Sequence, residues 1–464
     1  MRKTYTLILS LMLCVIMVFT LAACGQRGVQ GITVDRNDKT KGTILVGNTA
    51  ASSGDYAQVG QPFNEGVKAY LHEYNQAGGY KQDDVTYSVR LQTYDDEFTA
   101  SKGLTYTQKL VEQDKVFALL GHFGTNTVGA TLDYIQEKGV PMFYAATGIS
   151  ALYNPNATGN ARRIMPVQPI YEGEGSALLV TAFAPEPDGL AATKVGVIYS
   201  DDDAGHGIRD GVVAQAAKIN RANAVVYQML SPSATDAETQ ARAIKEANCD
   251  VVIIAANQAP LEIIGTGLKT VNYTGKMITS YVNSNATTMG SLANKGIITQ
   301  ERPMYATGWL NIVDPEGQSG FSADYWQFAA TMNTYEQFKQ NKAGDTSVYS
   351  PYAANAYAMA GYIAANMFCQ VLDRVEASGE KLTWANFVDY AEEGPINIPM
   401  GESIDYSQGK RTGVTSLSLS SYTWDYTTIT DGGTTTYSST ATLVRGLKSL
   451  SELEASLNQQ QSEE

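Results

Sequence analysis

FALLGHFGTNTVGATLDYIQEKG, residues 117–139, decides the fold. An apolar run of strand length leads through a loop of glycines and hydroxyls into an amphipathic helix. Such a loop is a ready anion site, because the first helical N–H groups are unpaired and the helix dipole is positive there. It could take a phosphate, a carboxylate, or no anion at all.

The same unit recurs on both sides. TILVGNTA reads as a strand, and FNEGVKAYLHEYNQAGG as a helix with Phe63, Val67, Tyr70 and Tyr74 on one face and Gly78-Gly79 as its stop. VTYSVRLQTYDD, SKGLTYTQKLVEQD and VPMFYAA continue the alternation as strand, helix and strand. After a loop rich in Asn, Pro and Gly, residues 154–169, the rhythm restarts with EGEGSALLVTAFA, KVGVIYS, GIRDGVVAQAAKIN, AVVYQML, DAETQARAIKEAN, CDVVIIAA, PLEIIGTGLKTV and GKMITSY. Alternation of this kind predicts an α/β fold with two doubly wound parallel sheets in succession. The remainder breaks the rhythm, with one long helix, PYAANAYAMAGYIAANMFCQVLDRV, and a β-rich end, so it must return to one or both lobes.

Ligands of open parallel sheets bind beyond the carboxyl ends of the strands. The polar tips there are residues 49–55, 121–127, 145–150 and 200–206, with Asn257 and Tyr281. They come from both lobes, which predicts a ligand in the cleft between them. Tyr56, Tyr171 and Tyr281 fall at tips facing that cleft, whereas Tyr352, Tyr357 and Tyr362 read as packing residues of a helix.

The chain opens with Arg2, Lys3, an apolar run and then Leu21-Ala22-Ala23-Cys24. This is a secretory signal with small residues before a cysteine. It resembles the lipobox of bacterial lipoproteins, which implies cleavage before Cys24 and lipidation of its sulfur; an uncleaved membrane helix is the alternative. Residues 24–42, rich in Gly and charge, are expected to form a flexible tether. Loss of Arg2 and Lys3 leaves 31 basic against 47 acidic residues, a net charge of −16, which argues against nucleic acid as a partner. Cys14 leaves with the signal, and Cys249 and Cys369, both in apolar surroundings, are expected to be buried free thiols.

Catalytic constellations are scarce. Histidine occurs at 72, 122 and 206 only, with His122 expected as a satisfied buried imidazole. No hydrolase elbow, zinc helix, Walker loop or dinucleotide fingerprint is present. The acidic stretches 95–97 and 200–207 precede helices, where carboxylates cap N-termini, so no metal and no cofactor is expected.

ILVGNTAASSGDYAQVGQPFNEGVKAYLHEYNQAGG, LQTYDDEFTASKG, ALLGHFGTNTVGATLDYIQEKGVPMFYAAT and KVGVIYSDDDAGHGIRDG together resemble the branched-chain amino-acid-binding type of ABC-importer substrate-binding protein. The resemblance implies the type I periplasmic-binding-protein fold, two Rossmann-like doubly wound lobes joined by three crossovers and closing on a ligand. It implies a signal at 1–23, a tether at 24–42, a first lobe of 43–166 plus 304–396, a second of 167–303 plus 397–446, and a polar tail at 447–464. By the resemblance, Thr125 holds the ligand's carboxylate with Ala145, Ala146 and Thr147. Tyr56, Gln168, Tyr171, Asp202, Asn257 and Tyr281 complete the expected site. The implied protein is not an enzyme. It is a monomer lipid-anchored on the extracytoplasmic face, with a membrane permease as its partner; a sensory ectodomain is the alternative, and a hydrolase using His122 or His206 a weaker one.

Departures from the family pattern bear on the ligand. Phe98 and Gly124 stand where many relatives have a disulfide, and Val59 replaces an aromatic residue. Tyr281 aligns with the acid that relatives use for an α-ammonium, and Ala204 and Asn257 with tyrosines. A buried ammonium without a carboxylate is costly, so a standard aliphatic amino acid requires Asp202, Asp203 or Glu172 in that role. A neutral or aromatic carboxylate, an amide or a short peptide fits equally.

Overall fold

Two seven-stranded sheets organise the protein. The computed structural model describes residues 29–461 apart from 55, 313–319 and 432–433, so the signal stretch and Cys24 lie outside the described residues. The first sheet comprises β1 (Ile32–Val34), β2 (Lys41–Thr49), β3 (Tyr80–Gln82), β4 (Val85–Tyr94), β5 (Ala118–Leu120), β6 (Met142–Ala145) and β7 (Ile164–Pro166), in the order β3-β4-β2-β5-β6-β7. β1 and β5 share one edge of β2, with Ile32 opposite Ile44 and Ala118 beside Val46. The second sheet comprises β8 (Val195–Ser200), β9 (Val225–Leu230), β10 (Val251–Ala255), β11 (Lys276–Thr279), β12 (Met304–Gly308), β13 (Ser416–Asp431) and β14 (Thr434–Ser449), in the order β14-β13-β12-β11-β10-β8-β9. Its centre is parallel, and its last two strands form an antiparallel hairpin.

Helices cover both faces of each sheet, which is why the central strands are apolar throughout: β5, β6 and β10 are buried along their whole length. The helix Ala356–Ser378 lies on the helix Ala57–Gln76 with almost no side chain between them. A Cβ at Gly66 would sit 2.0 Å from the Ala358 carbonyl oxygen, and one at Gly361 would sit 1.9 Å from that of Phe63. Glycine at both places lets the backbones touch. Cys249 and Cys369 are buried and free.

Several expected boundaries are corrected. Met304–Gly308, expected in the first lobe, pairs in parallel with β11 and carries Met304 and Ala306 into the second core. Residues 397–411, assigned to the second lobe, stay on the first: Ile396 bridges to Ile404, the Tyr406 hydroxyl donates to the Pro166 carbonyl (2.8 Å), and Arg411 binds Glu392 and the Arg162 carbonyl. Within the expected tether, the Gln30 amide donates to the carbonyls of Val111 and Val116 and β1 joins the sheet. The expected polar tail contains a helix, Leu450–Gln461, because Leu453 and Leu457 fall on one face and are buried.

Candidate functional site

At the carboxyl end of β5 the chain turns through Gly121 and Gly124, both in the left-handed backbone region (φ +64° and +100°), and enters the helix Thr125–Lys138. Gly124 as N-cap offers no side-chain acceptor, so the first-turn N–H groups are left open to a ligand. Thr125 Oγ1 lies 3.0 Å from Thr147 Oγ1 and 3.4 Å from the Tyr171 hydroxyl. All three residues are buried.

The loop is held by two devices. The Phe98 ring covers Gly124 so closely that a Cβ there would meet Phe98 Cε2 at 2.6 Å, and Tyr56 stacks on the other side of that ring at 4.0 Å. Beneath, the buried Asp96 carboxylate accepts from Thr49 Oγ1 (2.7 Å), Thr127 Oγ1 (2.8 Å) and the Phe98 N–H (2.9 Å). Burial raises its pKa against those three bonds. An aromatic ring packed on a glycine thus pins the loop from one side. His122 is buried between Thr107 and Thr131, and burial drives its pKa down to about 3, so it stays neutral.

Above this loop lies a cleft of about 490 Å³ walled by both lobes. The first lobe contributes Tyr56, Phe63, Phe98, Phe123, Thr125 and Ala146; the crossovers add Gln168 and Trp309. The second contributes Asn257, Gln258, Tyr281, Ser284 and Asn285, and the hairpin adds Ser418, Ser420 and Tyr422. No Asp, Glu, Lys, Arg or His is among the described residues that line it. Tyr357, on the helix Ala356–Ser378, spans the gap: its hydroxyl donates to the Val282 carbonyl (3.0 Å) and accepts from the amides of Gln258 (2.9 Å) and Asn285 (3.1 Å). Asn257 is only 7% exposed, and its side-chain amide has no partner among the described residues.

Of the expected site residues, Tyr56, Thr125, Ala146, Gln168, Tyr171, Asn257 and Tyr281 line the cleft. Ala145 is buried at the end of β6, and Thr147 stands behind Thr125. Asp202 is a correction: it caps the helix Asp203–Lys218, accepting from the Gly205 N–H (2.8 Å) and from Ser200 Oγ (2.9 Å), and is occupied there. Asp203 sits in the first turn of that helix, its carboxylate against Gly129, and Glu172 is exposed. Sequence reasoning missed Glu174, Tyr357 as a spanning group, and the hairpin wall. Glu174 is 1% exposed and accepts from Ser280 Oγ (2.6 Å), the Tyr281 N–H (2.8 Å) and Thr307 Oγ1. Burial pushes its pKa up to about 7 although all three bonds oppose the shift. It fixes Tyr281 from behind without facing the cleft.

Two sheets joined by crossovers around a cleft at their strand tips define a two-lobed solute-binding fold. A periplasmic binding protein family model matches residues 43–425, and the chain belongs to that family. An amino acid binding protein of Pseudomonas aeruginosa is 23% identical over 209 residues, 45% of this chain and about half (52%) of that protein's length. Among solved structures, the fatty acid ABC transporter substrate-binding protein of Thermomonospora curvata superposes with a TM-score of 0.66 at 15% identity, covering 92% of this chain and 96% of that one. The branched-chain amino acid transporter substrate-binding protein LivJ of Streptococcus pneumoniae, in complex with isoleucine, gives 0.62 at 16% identity over 87% of this chain and all of that one. The leucine-binding protein LivK of Thermotoga maritima gives 0.61 at 16%, over 85% and 97%. The fold is that of the type I periplasmic binding proteins.

Proposed function

We propose that this protein is the extracytoplasmic, lipid-anchored solute-binding component of an ABC importer. It captures a small polar or carboxylate ligand, an amino acid or related compound, between its lobes and presents it to a membrane permease. The observation that carries this reading is the cleft itself, enclosed by aromatic rings and furnished with neutral polar groups from both lobes at the carboxyl ends of the strands. Thr125, with Thr147 behind it, would take the ligand's polar head, beside the uncapped start of the helix Thr125–Lys138. Named relatives that bind leucine, isoleucine and fatty acid support a solute-binding role on this fold.

A thermal-shift screen over amino acids, amides, aromatic acids, sugars and small peptides tests the reading. A ligand that binds only the folded state raises the melting temperature. A screen without any stabilising compound would count against solute capture. The anchor is tested separately: Cys24→Ser should move the protein from the membrane fraction to the soluble one, and an unchanged distribution would remove Cys24 as the anchor.

A further inference from the structure

We propose that the ligand of this cleft carries no ammonium group: it is an organic carboxylate with an apolar, ring-compatible body, met in the second lobe by the neutral amide of Asn257. The inference rests on the solute-binding reading and narrows its ligand.

The chemistry of the walls carries it. An ammonium taken out of water needs a carboxylate or a full set of acceptors, and no acidic residue is among the described residues facing the cleft. Among the described residues, the carboxylates nearest the second-lobe wall are engaged or turned away from the cleft. Asp202 is engaged by Ser200 Oγ and the Gly205 N–H, Asp203 lies against Gly129, Glu172 is exposed, and Glu174 is buried behind Tyr281 with three donors on it. The Tyr281 hydroxyl is itself engaged, donating to the Pro169 carbonyl at 3.0 Å.

A carboxylate has no such difficulty. The Thr125 hydroxyl, backed by Thr147, and the open N–H groups at the start of the helix Thr125–Lys138 are donors beside a positive dipole end, and the Asp96 carboxylate beneath the loop is taken up by Thr49, Thr127 and the Phe98 N–H. The body of the ligand then meets rings, with Tyr56 stacked on Phe98 at one wall and Phe123, Trp309 and Tyr357 at others. Asn257 is the second, independent sign of a ligand. It projects from the tip of β10, is 93% buried by the 7% exposure that remains, and its amide has no partner among the described residues. Its amide is left open to the cleft as a polar group of the second-lobe wall, and a neutral amide does not offset the charge of a buried ammonium.

Matched ligands isolate the point. Calorimetric titration of the full chain, purified from membranes, is made with two pairs that differ only in the α-ammonium: phenylalanine against 3-phenylpropanoate, and leucine against 4-methylpentanoate. The acid without the ammonium is expected to bind at least about tenfold more tightly in each pair, and 3-phenylpropanoate more tightly than 4-methylpentanoate. Asn257→Asp places a carboxylate in the second-lobe wall and is expected to shift the preference about tenfold or more toward phenylalanine. Tighter binding of either amino acid by the unmodified protein would overturn the inference while leaving solute capture intact. Failure of all four compounds to bind at millimolar concentration would overturn it too, and solute capture would then rest on the broader thermal-shift screen. The comparison within the unmodified protein decides the matter even if the variant does not fold.

Discussion

Replacing Glu174 by Gln should change how the stability of this protein depends on pH. The ordinary glutamate pKa of 4.5 is pushed up to about 7 here by burial, so the folded state holds the proton more tightly than the unfolded chain does. The contribution of such a group is therefore fully present below pH 4.5 and is lost as the pH rises through 7. At about 1.4 kcal/mol for each pH unit between those values, the loss amounts to about 3 kcal/mol. Glutamine has no charge to desolvate. Its amide oxygen, in the place of Oε1, can accept from the Tyr281 N–H and Thr307 Oγ1, while its NH₂ donates to the Ser280 hydroxyl, which rotates to accept. Near pH 4.5 the variant should match the parent, and at pH 8 it should exceed it by up to about 3 kcal/mol. Urea unfolding of both proteins without ligand, at the two pH values, measures this as a difference in midpoint. If the variant differs from the parent by the same amount at both pH values, the charge on Glu174 does not govern its stability and the reasoning fails.

Three further outcomes follow from the geometry. Thr125→Ala should weaken ligand binding by about 1 to 3 kcal/mol if its hydroxyl meets a desolvated head group, and an unchanged calorimetric affinity would refute that role. Gly124→Ala forces a side chain into left-handed backbone and against the Phe98 ring, so it should destabilise the protein by about 1 to 3 kcal/mol; in the Phe98→Ala background the cost should be smaller, and strict additivity of the two changes would argue against the contact. Tyr357→Phe removes the hydroxyl that bonds Val282, Gln258 and Asn285, and should enlarge the radius of gyration of the ligand-free protein in solution scattering; an unaltered scattering curve would show that this hydroxyl does not hold the lobes together.

The parallel architecture was readable because its signals are local. Apolar strand runs such as those of β5 and β10, each followed by a helical pattern with a glycine or asparagine stop, leave little choice of fold. The final third was less legible. The helix Ala323–Lys339 has aromatic residues on several sides and no clear apolar stripe, while the helix Leu450–Gln461 shows only Leu453 and Leu457 among polar neighbours. Met304–Gly308 looks like any short strand, and only its pairing with β11 and β13 assigns it. The site followed the same division. Thr125, Asn257 and Tyr281 stand at strand tips and were predictable from position alone. Asp202 looked equally placed, but a helix cap and a ligand contact have the same sequence signature, an acidic residue before a helix. Glu174 and Tyr357 lie within helices, and their importance comes from what distant segments bring to them, which no local pattern records.

The chain passes between the lobes three times, at residues 167–170, 309–311 and 412–415. The first and third passes lie side by side: the Val414 N–H donates to the Val167 carbonyl at 2.9 Å, and a Cβ on Gly413 would meet the Gln168 carbonyl oxygen at 2.3 Å. A single tie between two bodies behaves as a swivel, free to twist as well as bend. Adjacent ties resist torsion and leave one soft direction, as a door on two pins can swing but not spin. Lobes tied in this way would approach one another along a single arc, and each closure would bring the same outer faces into the same relative orientation. A partner that docks on both lobes at once could then tell a filled cleft from an empty one by shape, without touching the solute inside.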